Sequence, residues 1–330
     1  LAITADRTEV WYGDAAPEYT VTYEEAEADS GSGLVSGETA DSTNVTISCD
    51  YESGWSVNTY EDVIVPSGFT GSSTALLANY DPSYVEGDLE VKQRRLESPE
   101  PVWKENSPGV IVWDEVPGVC NVEVAGYDVV LMKDGDPAEG SGASCYVESG
   151  STLEVDFLSL MRENGAGAYT VEVTAIASEV NNPNKENLQD SLPGRSETRY
   201  AAKMIFEFAD DEVTQSGKTD EITIHGEESY VVIAGESGIG INAVLKNATG
   251  YTINTVNAAN TVTVANPSDT ARDGVNFATT VSLSENHASA ADVRIALVLS
   301  ARPATLTAVV KPAANGEGTV TNETIYGYST

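Results

Sequence analysis

Apolar and polar residues alternate along most of this chain. The alternating runs are rich in β-branched and aromatic residues and are broken about every 8–12 residues by Gly, Asn, Asp, Ser or Pro. Residues 19–23, 45–48, 127–131, 169–174, 221–224 and 261–264 are examples. Successive strand side chains point to opposite faces, so each run offers one apolar face and one wet one. That pattern predicts an all-β chain of tandem β-sandwich modules in an extended arrangement. One stretch departs from it. Leu153, Phe157, Leu160 and Met161 recur at helical spacing in residues 153–163, and Ser151-Thr152-Leu153-Glu154 offers a capping-box-like start, so one short helix is expected there.

Charge narrows the function classes. The chain has 330 residues, with 52 Asp and Glu against 17 Lys and Arg, a formal net charge of −35. Such a field repels phosphate backbones and anionic lipid heads, so no nucleic-acid partner and no membrane insertion are expected. No stretch approaches the roughly 18–20 apolar residues of a membrane span. A hydrophobic content of 41% is too high for a disordered acidic tail, which places the acid on folded surfaces. Two histidines and three cysteines leave metal and nucleophile chemistry little to work with. Cys120 and Cys145 could bridge within one domain, or could stay as buried free thiols. Leu1-Ala2-Ile3-Thr4-Ala5 already reads as a strand and Tyr326-Gly327-Tyr328-Ser329-Thr330 stops in mid-pattern, as expected of cuts through a longer polypeptide.

Two composition shifts suggest boundaries. Residues 92–101 turn basic and Pro-rich, and residues 209–220 turn acidic and polar after a strand. The expected domains are residues 1–92, 93–208 and 209–303, with 304–330 starting a further β repeat or a C-terminal hairpin. Net charges are −16 for residues 1–92, −11 for 93–208 and −8 for 209–330, so acidity belongs to the whole surface.

In the first segment, Val10-Trp11-Tyr12-Gly13-Asp14-Ala15-Ala16-Pro17 is followed by Leu34-Val35-Ser36-Gly37-Glu38-Thr39, then by Asn79-Tyr80 and Gly87-Asp88-Leu89-Glu90-Val91. This order of motifs over about 90 residues resembles the MBG ("mostly β, glycine-rich") domains of bacterial secreted and surface proteins. An acidic insert, Glu24-Glu25-Ala26-Glu27-Ala28-Asp29, and Asn58 in place of the family's usual Gly are departures expected in loops. The motif residues read as structural. Gly13-Asp14 and Glu86-Gly87-Asp88 are turn chemistry, Asn79 tolerates a left-handed backbone, and Tyr12, Tyr60 and Tyr80 are large enough to staple a thin sandwich.

The second segment carries Trp113, Pro117-Gly118, Tyr127 and the strand Tyr169…Val171…Val173…Ala175. It is similar to fibronectin type III-like sandwiches of bacterial surface proteins. The resemblance implies an immunoglobulin-like fold with Trp113 as a core residue, and Lys133-Asp134-Gly135-Asp136 reads as a hairpin turn. Residues 209–303 show β patterning without a nameable motif.

The candidate chemistry is thin. Gly235-Glu236-Ser237-Gly238-Ile239 approaches a nucleophile elbow but ends on Ile, and nothing places His225 or His287 beside Ser237. Gly238-Ile239-Gly240-Ile241-Asn242-Ala243 matches the dinucleotide fingerprint by letters, yet β alternation resumes at Gly250-Tyr251-Thr252-Ile253 where a helix is needed, so a loop is expected. Paired carboxylates carry no information among 52 acids. Asp134, Asp136, Asp210 and Asp211 form the densest oxygen-rich clusters and are the only candidates for structural calcium. No catalytic residue and no other cofactor are expected.

These features describe a non-catalytic segment of a bacterial surface or secreted protein, a monomeric stalk or spacer that could also act as an adhesin toward a host glycan or matrix protein. The alternative is a set of accessory modules, carbohydrate-binding among the options, of a secreted enzyme whose catalytic domain lies elsewhere. Carbohydrate binding by residues 210–303 would have only Tyr230, Tyr251 and Phe277 to use.

Overall fold

The computed structural model describes residues 1–25, 31–208, 221–223, 229–244, 251–257, 262–264 and 276–301. Residues 1–92 carry β1 (Ala2–Ala5), β2 (Thr8–Trp11), β3 (Val21–Tyr23), β4 (Thr46–Ser48), β5 (Asn58–Ser67), β6 (Ser83–Val85) and β7 (Gly87–Lys92). They form one sheet of order β3-β1-β6 and another of order β2-β7-β5-β4. The alternation is realised in β7, where Gly87, Leu89 and Val91 are buried and the residues between them are half-buried. Ile3, Val21, Val45 and Phe69 make a small core of their own, and Phe69 touches Tyr23 and Tyr80 at ring-centroid distances of 5.8 and 6.5 Å.

Residues 93–208 carry β8 (Arg94–Arg95), β9 (Val102–Trp103), β10 (Val110–Val112), β11 (Val124–Lys133), β12 (Asp136–Pro137), β13 (Ser144–Glu148), β14 (Glu154–Asp156), α1 (Leu158–Asn164), β15 (Gly167–Ala177), β16 (Leu188–Gln189), β17 (Gly194–Arg195) and β18 (Arg199–Phe208). The sheet β14-β10-β9 faces a larger one built on β11 and β15, which pair antiparallel from Lys133↔Tyr169 to Val124↔Ala177. In β15 every second residue, Gly167 to Ala177, is buried. Trp113 is buried just beyond β10 and meets Tyr127 edge-on, with centroids 5.6 Å apart. Such a pair adds about 0.5–1.5 kcal/mol beyond its area. The Tyr127 hydroxyl accepts the Val116 amide at 2.8 Å, so its polar end is also satisfied.

Past residue 208 come β19 (Glu221–Thr223), β20 (Ser229–Ile233), β21 (Ile239–Val244), β22 (Tyr251–Asn257), β23 (Val262–Val264), β24 (Asn276–Leu283) and β25 (Val293–Ala301). One sheet has the order β19-β21-β24-β23, while β20, β25 and β22 extend the large sheet through β18. The fold is therefore all-β and sandwich-like, with a single α-helix among the described residues.

Several expectations need correction. Asn58 opens β5 and pairs with Val91, and Gly87-Asp88 open β7, where a loop and a turn were expected. The helix starts at Leu158, and residues 154–156 are strand, because Leu153-Glu154-Val155-Asp156 also alternates and pairs with β10 (Ile111↔Val155). A seven-residue helix is too short to hold itself and depends on docking, here through fully buried Met161. Its first free amide, on Leu158, is taken by Asp156 Oδ1 at 2.8 Å, so Ser151 and Thr152 cap nothing. Asn79 closes a 3-10 turn (Leu77–Asn79) and is not among the left-handed residues. All three cysteines are free thiols, and Cys120 is exposed instead of buried.

Two predictions follow from this packing. Leu131→Ala empties a fully buried position and should cost about 2–5 kcal/mol, read from the urea midpoint of Trp113 fluorescence. Burial, aided by Asp41 and Tyr84, pushes the Tyr23 phenol up to about 12, and burial together with Asp134 raises Tyr169. A folded-state value above the unfolded one gives stability that is whole below pH 10 and is lost as pH rises through the folded value. The urea midpoint should therefore fall as pH climbs from about 10 toward 12, in step with phenolate absorbance.

Candidate functional site

A dense arrangement of specific polar contacts lies where residues 1–92 meet residues 93–208. Tyr12 directly follows β2, is 1% exposed, and donates its hydroxyl to Asn121 Oδ1 at 2.6 Å. Burial, with the Cys120 thiol adding, raises its phenol above the ordinary value and keeps it a donor. Gly13 follows at φ +86°, where a Cβ would sit 2.3 Å from Val119 Cγ1. Only glycine allows both the left-handed turn and this approach. Asp14 then forms an ion pair with Arg94, while its carbonyl accepts from the Tyr51 hydroxyl at 3.1 Å. Opposite them, Val119 and Val122 exchange two backbone hydrogen bonds of 3.0 Å, which hold Cys120 against Ser53.

The other half of this junction is an Asn-rich loop. Asn181, Asn184 and Lys185 all have positive φ, a conformation asparagine tolerates better than most residues. Asn182 is 0% exposed. Its side-chain oxygen accepts from the Asn187 and Leu188 amides (2.9 and 3.1 Å), and its Nδ2 donates to the carbonyls of Leu188 and Ser178 (2.7 and 3.2 Å). Held in this way, Asn187 presents Oδ1 to the Val57 amide at 2.8 Å and its carbonyl to the Arg94 amide at 3.0 Å. The short parallel ladder between β8 and β16 runs on from there. A shallow cleft of about 340 Å³ opens beside it, lined by Gln93, Arg95, Lys185, Gln189 and Asp190, and the Lys185–Asp190 ion pair occupies its wall.

A second junction joins α1 to β20 and the turn after it. Glu236 is 4% exposed, accepts the Ile233 amide at 2.7 Å and pairs with Arg162 of α1. The Arg162 guanidinium lies 5.5 Å from the centre of the Tyr230 ring, beside a cleft of about 420 Å³ that also includes Lys203. Between the two elements β18 serves both sides. Residues 199–201 pair with β15, and residues 201–205 pair with β20.

The sequence-derived candidates do not converge. Asp134 occupies the hairpin turn at φ +53°, with Gly135 at φ +97°, and its Oδ1 accepts the Ala168 amide at 2.9 Å. Asp136 lies across that turn, paired with Lys133. Asp210, Asp211 and His225 lie outside the described residues, as do residues 304–330. Among the described residues, no group of three or more His, Cys, Asp or Glu could hold a metal ion. Ser237 is exposed, and Gly238 leads straight into strand β21, where a loop was expected. Both the nucleophile elbow and the dinucleotide fingerprint require a helix at that point. Tyr230 packs under Arg162, and the side chains of Tyr251 and Phe277 lie outside the description. Sequence reasoning missed Asn182, Asn187, Asn121 and Glu236. A run of four asparagines within residues 181–187 was the one available signal, since such residues mark structured turns.

Asn182→Ala should leave the Asn187 and Leu188 amides unpartnered, at about 1–3 kcal/mol each. Hydrogen exchange should accelerate about ten-fold or more at Arg94 and Leu96, while the Val173 amide in β15 stays protected. Equal acceleration at Val173 would mean that Asn182 supports the whole fold and not the junction.

No curated protein matches the chain. A similar solved structure is that of an α-L-rhamnosidase from Dictyoglumus thermophilum, at 11% identity over 58% of this chain and 26% of that one, with a TM-score of 0.19. Residues 1–90 match the family model of the MBG domain, YGX type, and the Tyr-Gly-x triplet stands here as Tyr12-Gly13-Asp14.

Proposed function

We propose that the chain is a non-catalytic spacer within a secreted or surface-displayed bacterial protein, built from an MBG domain, a fibronectin type III-like sandwich and a third β-sandwich. The observation that carries this reading is the pair of junctions, where neighbouring segments meet through backbone ladders and buried side chains. A catalytic protein converges titratable groups on a cleft. Here the shared polar groups converge on joints, and each cleft beside a joint includes a charged group already held in an ion pair, Lys185 with Asp190 in one and Arg162 with Glu236 in the other. The MBG domain supports an extracellular setting, because such domains are typical of surface proteins. Net charge adds to the argument, since a uniformly acidic surface keeps neighbouring copies apart and in solution.

The test has two parts. Antibodies raised against the chain should label intact cells of the producing organism as strongly as permeabilised ones. The full chain should leave every spot of a glycan and matrix-protein array blank. Labelling only after permeabilisation would refute the surface assignment, and saturable binding to any spot would turn the spacer into an adhesin.

A further inference from the structure

We propose that the fold is arranged to carry tension along the chain, with parallel ladders clamping strands that lie far apart in sequence. The inference deepens the spacer reading and rests on it for its biological use. Four parallel ladders join named strands among the described residues. They are β1 with β6 (Ala2↔Ser83 to Thr4↔Val85), β2 with β7 (Thr8↔Leu89 to Trp11↔Lys92), β8 with β16, and β18 with β25 (Met204↔Val293 to Phe208↔Leu297). Every other ladder between described strands is antiparallel. Of the parallel ladders, the first three pair a strand at the start of a segment with a strand at or near its end, and the fourth returns β25 to β18, the last strand of residues 93–208.

Direction decides how such a ladder meets force. When the chain is drawn from its two ends, the early strand is pulled from its N-terminal end and the late strand from its C-terminal end. In a parallel pair those points lie at opposite ends of the ladder, so the strands slide past each other and all rungs are strained at once. In an antiparallel hairpin they lie side by side, and the rungs open one after another. A single rung is worth only about 0.5–1.5 kcal/mol net, so resistance depends on rungs failing together.

Side chains reinforce the first clamp. Val10, Leu89 and Val91 are buried beneath β2 and β7. On the other face, Glu9 stands directly opposite Glu90, a repulsive placement. Arg7 pairs with Glu90 and Lys92 with Glu9, which reverses the repulsion. Residues 1–92 contain only these two basic residues, and both bridge this ladder. The clamps also follow one another closely. β7 ends at Lys92 and β8 begins at Arg94, while β18 starts on β15 and finishes on β25.

The experiment compares two pulling directions on the full chain. The Leu1 ammonium donates to the Asp81 carbonyl at 3.2 Å, so positions 1 and 81 sit at the same end of the β1–β6 ladder. One tether pair is fused to the two termini. The other joins the N-terminus and an azide-bearing side chain introduced at Asp81. At equal loading rate, the event whose contour length corresponds to residues 1–92 should need about two-fold or more force when pulled end to end than the opening event of the 1/81 pair. Equal or lower end-to-end force would overturn the clamp. Failure of surface labelling with the ratio intact would remove the spacer reading alone, and loss of the ratio with labelling intact would remove the clamp alone.

Discussion

A buried amide side chain, Asn182, sets the geometry on which both of the first two segments depend. Its oxygen and nitrogen engage two amides and two carbonyls of its own loop, and this fixes where Asn187 points. From that position Asn187 satisfies backbone amides at Val57 and Arg94, more than 90 residues earlier in the chain. The energetic asymmetry explains why this network governs. A hydrogen bond gains about 1 kcal/mol, whereas a buried amide left without a partner costs about 1–3 kcal/mol. The exposed ion pairs nearby are each worth about 0.2–1 kcal/mol. The loop therefore has one low-energy arrangement, and strand β8 is laid along β16 as a consequence.

Charge poses the opposing constraint. Segments of −16 and −11 touch, and at physiological salt the screening length is only about 8 Å, so charges across the contact still feel one another. The scarce cations sit where the repulsion is largest. Arg94 meets Asp14, Arg95 donates to the Asp190 carbonyl, and Lys185 pairs with Asp190 at the first junction. Arg162 meets Glu236 and Arg199 lies over Trp103 at the second. These contacts relieve repulsion more than they add stability, which leaves the direction of docking to the hydrogen-bonded backbone.

The sheet architecture was legible because strand patterning is local. Residues 169–174 alternate, and β15 buries every second side chain as that alternation requires. The turn at Lys133-Asp134-Gly135-Asp136 was equally legible, since Asp-Gly chemistry selects a two-residue hairpin in which both central residues have positive φ. The helix boundary failed where two periods overlapped, because residues 153–156 satisfy both strand and helix patterns and β10 decided between them. The junctions were not legible, for a different reason. Asn121, Asn187 and Glu236 acquire meaning from partners 109, 130 and 74 residues away, and no periodicity encodes such a distance. A buried Glu236 in a Gly-rich turn looked like loop chemistry from the sequence alone.

The triplet Tyr12-Gly13-Asp14 shows how a motif can be structural without serving only its own domain. The tyrosine ring belongs to a core that continues into Ile111, Trp113 and Val122, and its hydroxyl ends on Asn121. The glycine makes room for Val119, and the aspartate takes Arg94. All three residues thus point at the next segment. A lone domain would expose Tyr12 and leave Asp14 without its cation, so the motif favours a following segment that supplies both partners. Order along the chain is then specified by side chains at the joint as well as by covalent connection, which is the property an array needs if its segments are to meet at a fixed angle under load.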